Sequence, residues 1–137
     1  MTKKKIIVAY DGSDSSNKAL TLAADLCAAI AGELLLVSVA ERPSELFTFK
    51  QLEHDREEAS KAILRSGEQH AATLGVAIKP VLLCGSPAEE VIRFAGEQQA
   101  YVIVVGTRSL AGLQRLMLGS VAQALVNNSS IPVLVAK

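Results

Sequence analysis

Apolar runs of strand length alternate with longer segments of helical period along the whole of this 137-residue chain, in the order β-α-β-α-β-α-β-α-β. Lys5 to Tyr10 (KIIVAY) shows no polar alternation, as a strand covered on both faces requires. Ala19, Leu22, Ala23, Leu26, Cys27 and Ile30 then make one helical face, which Gly32 is expected to end. Leu34 to Val39 reads as a second strand, about Gln51 to Leu74 as a second helix, and Val76 to Leu83 as a third strand. Pro80 interrupts that third strand and cannot donate to a ladder, which places it at a sheet edge. A third helix starts with Ser86 as N-cap, Pro87 at the first helical position and Glu89 completing a capping box. Tyr101 to Val105, Ser120 to about Asn127, and Pro132 to Ala136 supply a strand, a helix and a last strand. Such alternation demands right-handed crossovers and a parallel sheet with helices on both faces. The expected fold is therefore α/β, a doubly wound, Rossmann-like five-stranded parallel sheet of order 3-2-1-4-5. Its ligands should bind between strands one and four, beyond the carboxyl ends of the strands.

Composition narrows the function. Half the residues are hydrophobic and 20% are charged, which fits one compact domain over residues 1–137 and excludes disorder. With three Phe, two Tyr and no Trp, the chain lacks the stacking platforms that single-stranded nucleic acid needs. Fourteen basic residues balance fourteen acidic ones, so no global field steers the protein toward DNA or an anionic membrane. The balance is uneven along the chain. After Glu97 there is no carboxylate, only Arg108, Arg115 and Lys137, so the carboxyl-terminal third tolerates anions. No apolar run reaches 18 residues, and MTKKKIIVAYDG reads directly into a strand, so a cytoplasmic protein is expected. Cys27 and Cys84 show neither CxxC nor His spacing and are expected to be buried, reduced thiols.

Three segments should meet at the crevice: Tyr10–Ser13 after strand one, Val39–Glu41 after strand two, and Gly106–Ser109 after strand four. Asp11 would stand at the end of the central strand, where it can accept ribose hydroxyls, help to hold a hydrated cation, or simply form a turn. Gly106-Thr107-Arg108-Ser109 is followed by nine residues from Leu110 to Leu118 and then by Gly119-Ser120, which opens a helix. Glycine at 106 and 119 lets backbone approach an anion, and the helix that follows presents free N–H groups and a positive partial charge. Ser120 can add a hydroxyl to that site, or cap the helix in a box with Gln123.

This stretch resembles the universal stress protein family, whose nucleotide-binding pattern is Gly, two residues, Gly, nine residues, Gly, then Ser or Thr. The chain reproduces all of it except the second glycine, where Ser109 stands. The opening IIVAYDGS, the middle GSPAEEVI and the stretch from LAGLQRLMLGSVAQALV to IPVLVAK are also similar to that family. The resemblance implies an adenine nucleotide, ATP or AMP, with Mg²⁺ as an accompanying ion. It implies that Asp11 meets the ribose with Ala9 beside it, that Val39 offers backbone atoms to the adenine edge, and that Val105 lines the same pocket. Gly106, Ser109, Gly119, Ser120 and Val121 would surround the phosphates. Ser109 in place of a left-handed glycine costs on the order of 1 to 2 kcal/mol, roughly tenfold in affinity.

Residues 131–136 form a short apolar edge that pairing with a second copy would cover, and the resemblance implies the same homodimer through the last strand. The segment Glu41 to Lys50 could serve as a lid through Leu46, Phe47 and Phe49, or pack on helix two. His54 among the acids of EHDREE reads as a solvated face, and His70 has no partner at metal spacing. No GxxxxGK[ST] loop and no crevice histidine equip the chain for phosphoryl transfer. A nucleotide-sensing regulator with a still unassigned protein partner is the leading expectation. The alternatives are a slow ATP-hydrolysing or nucleotide-transferring enzyme using Asp11 and Mg²⁺, and a dimeric interaction module that has lost its nucleotide.

Overall fold

The computed structural model describes residues 2–42, 50–107 and 118–137. Its elements are β1 (Lys5–Ala9), α1 (Asp14–Ile30), β2 (Glu33–Glu41), α2 (Lys50–Thr73), β3 (Ile78–Gly85), α3 (Pro87–Gln98), β4 (Val102–Gly106), α4 (Ser120–Asn128) and β5 (Val133–Ala136). All strand pairs are parallel and the sheet order is β3-β2-β1-β4-β5. Pro80 lies in the outermost strand β3, opposite Leu36, where a missing N–H leaves the rest of the sheet intact.

The uninterrupted apolar strands are explained by two separate cores. On one face, Ile6, Val8, Leu34, Leu36, Val102 and Val104 pack with Ala19, Leu20 and Ala23 of α1 and Leu64 and Ala71 of α2. On the other, Ile7, Leu35, Val37, Ile103 and Val105 pack with Val91 and Ala95 of α3 and Ala122 and Leu125 of α4. Alternate residues of one strand therefore enter opposite cores, which removes any reason for a polar position. Fully burying a side chain such as Ile7 or Ile103 contributes roughly 1.5–3 kcal/mol, and small alanines on the helices let them approach the sheet closely.

Several expected helix ends form differently. The left-handed residue after α1 is Ala31 (φ 51°), not Gly32. Gly32 is needed for space instead, because a Cβ there would come within 2.8 Å of the Lys4 carbonyl oxygen. Ser86 is the N-cap of α3 and Pro87 its first residue, but the Ser86 side chain makes no capping hydrogen bond, so the box with Glu89 does not close. The N-cap of α4 is Gly119, in extended backbone (φ −61°), and Ser120 is already the first helical residue. A box between Ser120 and Gln123 is thereby displaced by one position. Cys27 is buried and donates its S–H to the Gly32 carbonyl, whereas Cys84 is only half-buried, at the end of the edge strand. No helix among the described residues is long and apolar enough to cross a membrane.

Candidate functional site

Beyond the carboxyl ends of β1, β2 and β4 lies a cavity of about 140 Å³, roughly ten times the space a single water needs. It sits where β1 has β2 on one side and β4 on the other, the point at which the chain's winding reverses. Ala9, Asp11, Val39, Val105, Gly106 and Val121 line it, so six positions named from the sequence are brought together by the fold. Gly119 and Ser120 do not reach its wall; they open α4, whose Val121 and Ala122 do. Ser109, Arg108, Arg115 and the lid candidates Leu46, Phe47 and Phe49 lie outside the described residues.

The turn from β1 into α1 builds one side of the cavity. Gly12 takes φ 82°, a conformation that costs a side-chain-bearing residue about 1–2 kcal/mol. Asp11 Oδ1 accepts from Ser13 N–H at 2.9 Å, and Ser13 Oγ accepts from Ser16 N–H at 3.2 Å as the N-cap. Ser16 returns the contact by donating its hydroxyl to the Ser13 carbonyl at 2.9 Å. A cap of this kind contributes about 1 kcal/mol, and here it also aims the amino end of α1 at the cavity. Both sequence readings of Asp11 therefore coexist, since it forms the turn and lines the site.

Gly106 has a role that its motif did not reveal. A Cβ at this position would overlap the Ser15 carbonyl carbon and lie 2.5 Å from Ser15 O and 2.6 Å from Ser15 Oγ. The glycine lets the start of α1 rest directly on the end of β4, and this contact holds the two sides of the cavity together.

The lining also includes Tyr10, Ser13 and Glu41, which the converging segments contained, and residues that the sequence reading did not assign to the crevice: Ser15 and Ser16 of α1, Val37 of β2, and Pro87 and Val91 of α3. The hydroxyl-bearing turn could have been suspected from the run SDSS after Asp11-Gly12. The α3 contribution could not, because it depends on how the crossover packs. One side of the cavity is consequently polar, with Asp11, the serines at the start of α1 and the backbone of the first turn of α4 at Val121 and Ala122. The other is apolar, made by Val37, Val39, Val91 and Pro87. The first is suited to an anion and the second to a flat apolar group.

Several charges near the ends of β2 and β3 are paired. Arg42 contacts Glu57 at 3.3 Å, and this hydrogen bond holds its guanidinium above the ordinary arginine range. Arg93 hydrogen-bonds Glu90 and holds that carboxyl below the usual carboxylate range. Arg56 donates to the backbone oxygen of Glu41 at 3.0 Å. Elsewhere, His70 Nε2 lies 3.0 Å from Thr21 Oγ1.

The model of the universal stress protein family matches residues 3–137. The chain is 35% identical to the universal stress protein MJ0531 of Methanocaldococcus jannaschii, over 98% of this chain and 82% of that one. It is 32% identical to the universal stress protein YxiE of Bacillus subtilis, over 97% and 98% respectively. Among solved structures, a universal stress protein in complex with cAMP superposes with a TM-score of 0.76 at 27% identity, covering 100% of this chain and 99% of that one. A universal stress protein from Archaeoglobus fulgidus gives 0.80 at 25% identity, covering 100% and 96%.

Proposed function

This chain belongs to the universal stress protein family, and on that premise we propose that it binds an adenine nucleotide, ATP or AMP, in the cavity beyond β1, β2 and β4. The observation that carries the proposal is the division of one cavity into an apolar wall suited to a base and a polar end made by the serines of the α1 start and the first turn of α4, whose N-cap Gly119 makes no side-chain capping bond. The related protein solved with cAMP supports the same ligand class.

In this reading Asp11 accepts from the ribose hydroxyls, with Ala9 beside it, and the Val39 backbone meets the adenine edge while Val105 closes the wall. Gly106 and Val121 border the phosphates, Gly119 and Ser120 stand just behind them at the start of α4, and the motif assigns Ser109 to the same group; Mg²⁺ would share the phosphate charge when more than one phosphate is present. The protein acts in the cytoplasm as a homodimeric regulator in stress physiology, nucleotide occupancy changing its affinity for a protein partner. The dimer forms through β5, which is an outer strand of four residues with Leu134 exposed. An edge of this kind is protected by antiparallel pairing with a second copy.

Without Trp the protein absorbs weakly in the ultraviolet, so co-purified nucleotide is expected to dominate the spectrum, and mass spectrometry of the heat-released supernatant names it. Added AMP or ATP at about a hundred times its Kd should stabilise the fold by about 2.7 kcal/mol, read as a rise in melting temperature. Titration with no binding at millimolar nucleotide would refute the reading. For the dimer, sedimentation at micromolar concentration is expected to give twice the monomer mass, and a monomer alone contradicts it.

A further inference from the structure

We propose that Glu41 reads the base of the bound nucleotide: its carboxylate accepts from an exocyclic amino group, so the cavity selects 6-aminopurine over 6-oxopurine nucleotides. This rests on the nucleotide reading above and names the group that gives it selectivity.

Side chains alternate along β2, so Val37, Val39 and Glu41 share one face, and all three line the cavity. The two valines, with Val91 and Pro87, form the apolar wall against which a flat base rests. The anion-binding groups lie at the opposite end, on the α1 turn and Gly106. A nucleotide placed with its phosphates there directs the free edge of its base toward the end of β2, where Glu41 is the last residue.

Glu41 also differs from the acids around it. Glu57 is engaged by Arg42, and Glu90 by Arg93. The Glu41 carboxylate has no ion-pair or hydrogen-bond partner among the described residues, and the Arg56 contact goes to its backbone oxygen. That contact fixes the strand end without neutralising the side chain. The register partner of Glu41 is Gly85, which places no side chain of its own beside the carboxylate.

An ionised carboxylate only accepts hydrogen bonds. It gains a bond from the amino group of adenine and is repelled by the carbonyl oxygen that hypoxanthine carries at the same position. A group on an exposed strand end discriminates less than a fully buried one, so a preference of roughly tenfold is expected.

The test compares binding of AMP and IMP by calorimetry to the full chain, to Glu41→Gln and to Glu41→Ala. The glutamine can donate as well as accept, and the exposed position leaves the fold intact, as circular dichroism should show. The unsubstituted protein is expected to bind AMP about tenfold more tightly than IMP, and the ratio should fall to within about threefold in Glu41→Gln. In Glu41→Ala it should fall through weaker AMP binding. An unchanged ratio in both variants overturns the proposal. So does an equal loss for both nucleotides, which would place Glu41 at the sugar or in the scaffold. If the unsubstituted chain binds neither nucleotide, the nucleotide reading itself fails, an outcome distinct from binding without selectivity.

Discussion

Gly106→Ala is expected to destabilise the protein by about 1–3 kcal/mol and to weaken nucleotide binding together with it. The added Cβ would fall on the Ser15 carbonyl group, and the atoms in the way are backbone atoms of α1, which cannot rotate aside as a side-chain tip can. Either α1 shifts away from β4 or the end of β4 bends. Gly106 and Ser15 are both buried and both line the cavity, so either movement changes the spacing between the α1 turn and Gly106. Thermal melting should show a midpoint several degrees lower, and calorimetry with AMP a weaker Kd in the remaining folded protein. A variant that melts like the parent would mean that α1 and β4 are not held at this distance in solution.

Asp11→Ala should have the largest effect on affinity. A hydrogen bond from a ribose hydroxyl to an ionised carboxylate is worth about 1.5–3 kcal/mol, so AMP and ATP should bind roughly 10- to 100-fold more weakly. The same substitution removes the acceptor for Ser13 N–H at 2.9 Å, so some stability is lost as well. Asp11→Asn separates the two roles. Its amide oxygen can still accept from Ser13 N–H and keep the turn, while the charge that strengthens the ribose contact is gone. The expected order of affinity is parent, then Asn, then Ala, with Asn melting close to the parent. Ala binding AMP within twofold of the parent would restrict Asp11 to shaping the turn.

How much of this was legible in the chain depends on the range over which each signal acts. The strand order followed from local patterns plus Pro80, because unbroken apolar runs of strand length between helical segments fit strands covered on both faces, and a proline inside such a run fits an edge strand. The Asp11-Gly12-Ser13 turn was readable for the same reason, its chemistry being complete within a few residues. Helix ends were less so. Ala31 in place of Gly32, and Gly119 in place of Ser120, show that cap residues compete within one position of each other, and the packing of neighbouring elements decides between them.

The site divides along the same line. Ala9, Asp11, Val39, Val105, Gly106 and Val121 could be named because they stand at strand ends or helix starts, where this topology gathers ligand contacts. Val91 and Pro87 could not, since they reach the cavity only through the crossover of α3. Glu41 was visible as part of a converging segment, but its face on β2 became meaningful once Val37 and Val39 were found on the cavity wall.

The sequence by itself determined the fold class, the strand order and the crevice at which ligand contacts gather, because periodicity and turn chemistry are local and the handedness of crossovers leaves few ways to join them. Only the tertiary structure decided that Gly106 is a packing glycine under Ser15, that α3 supplies part of the apolar wall through Pro87 and Val91, and that Glu41 shares the cavity-facing side of β2 with Val37 and Val39. Those facts depend on distances between segments far apart in the chain, which side-chain volumes set when two helical layers close on one sheet.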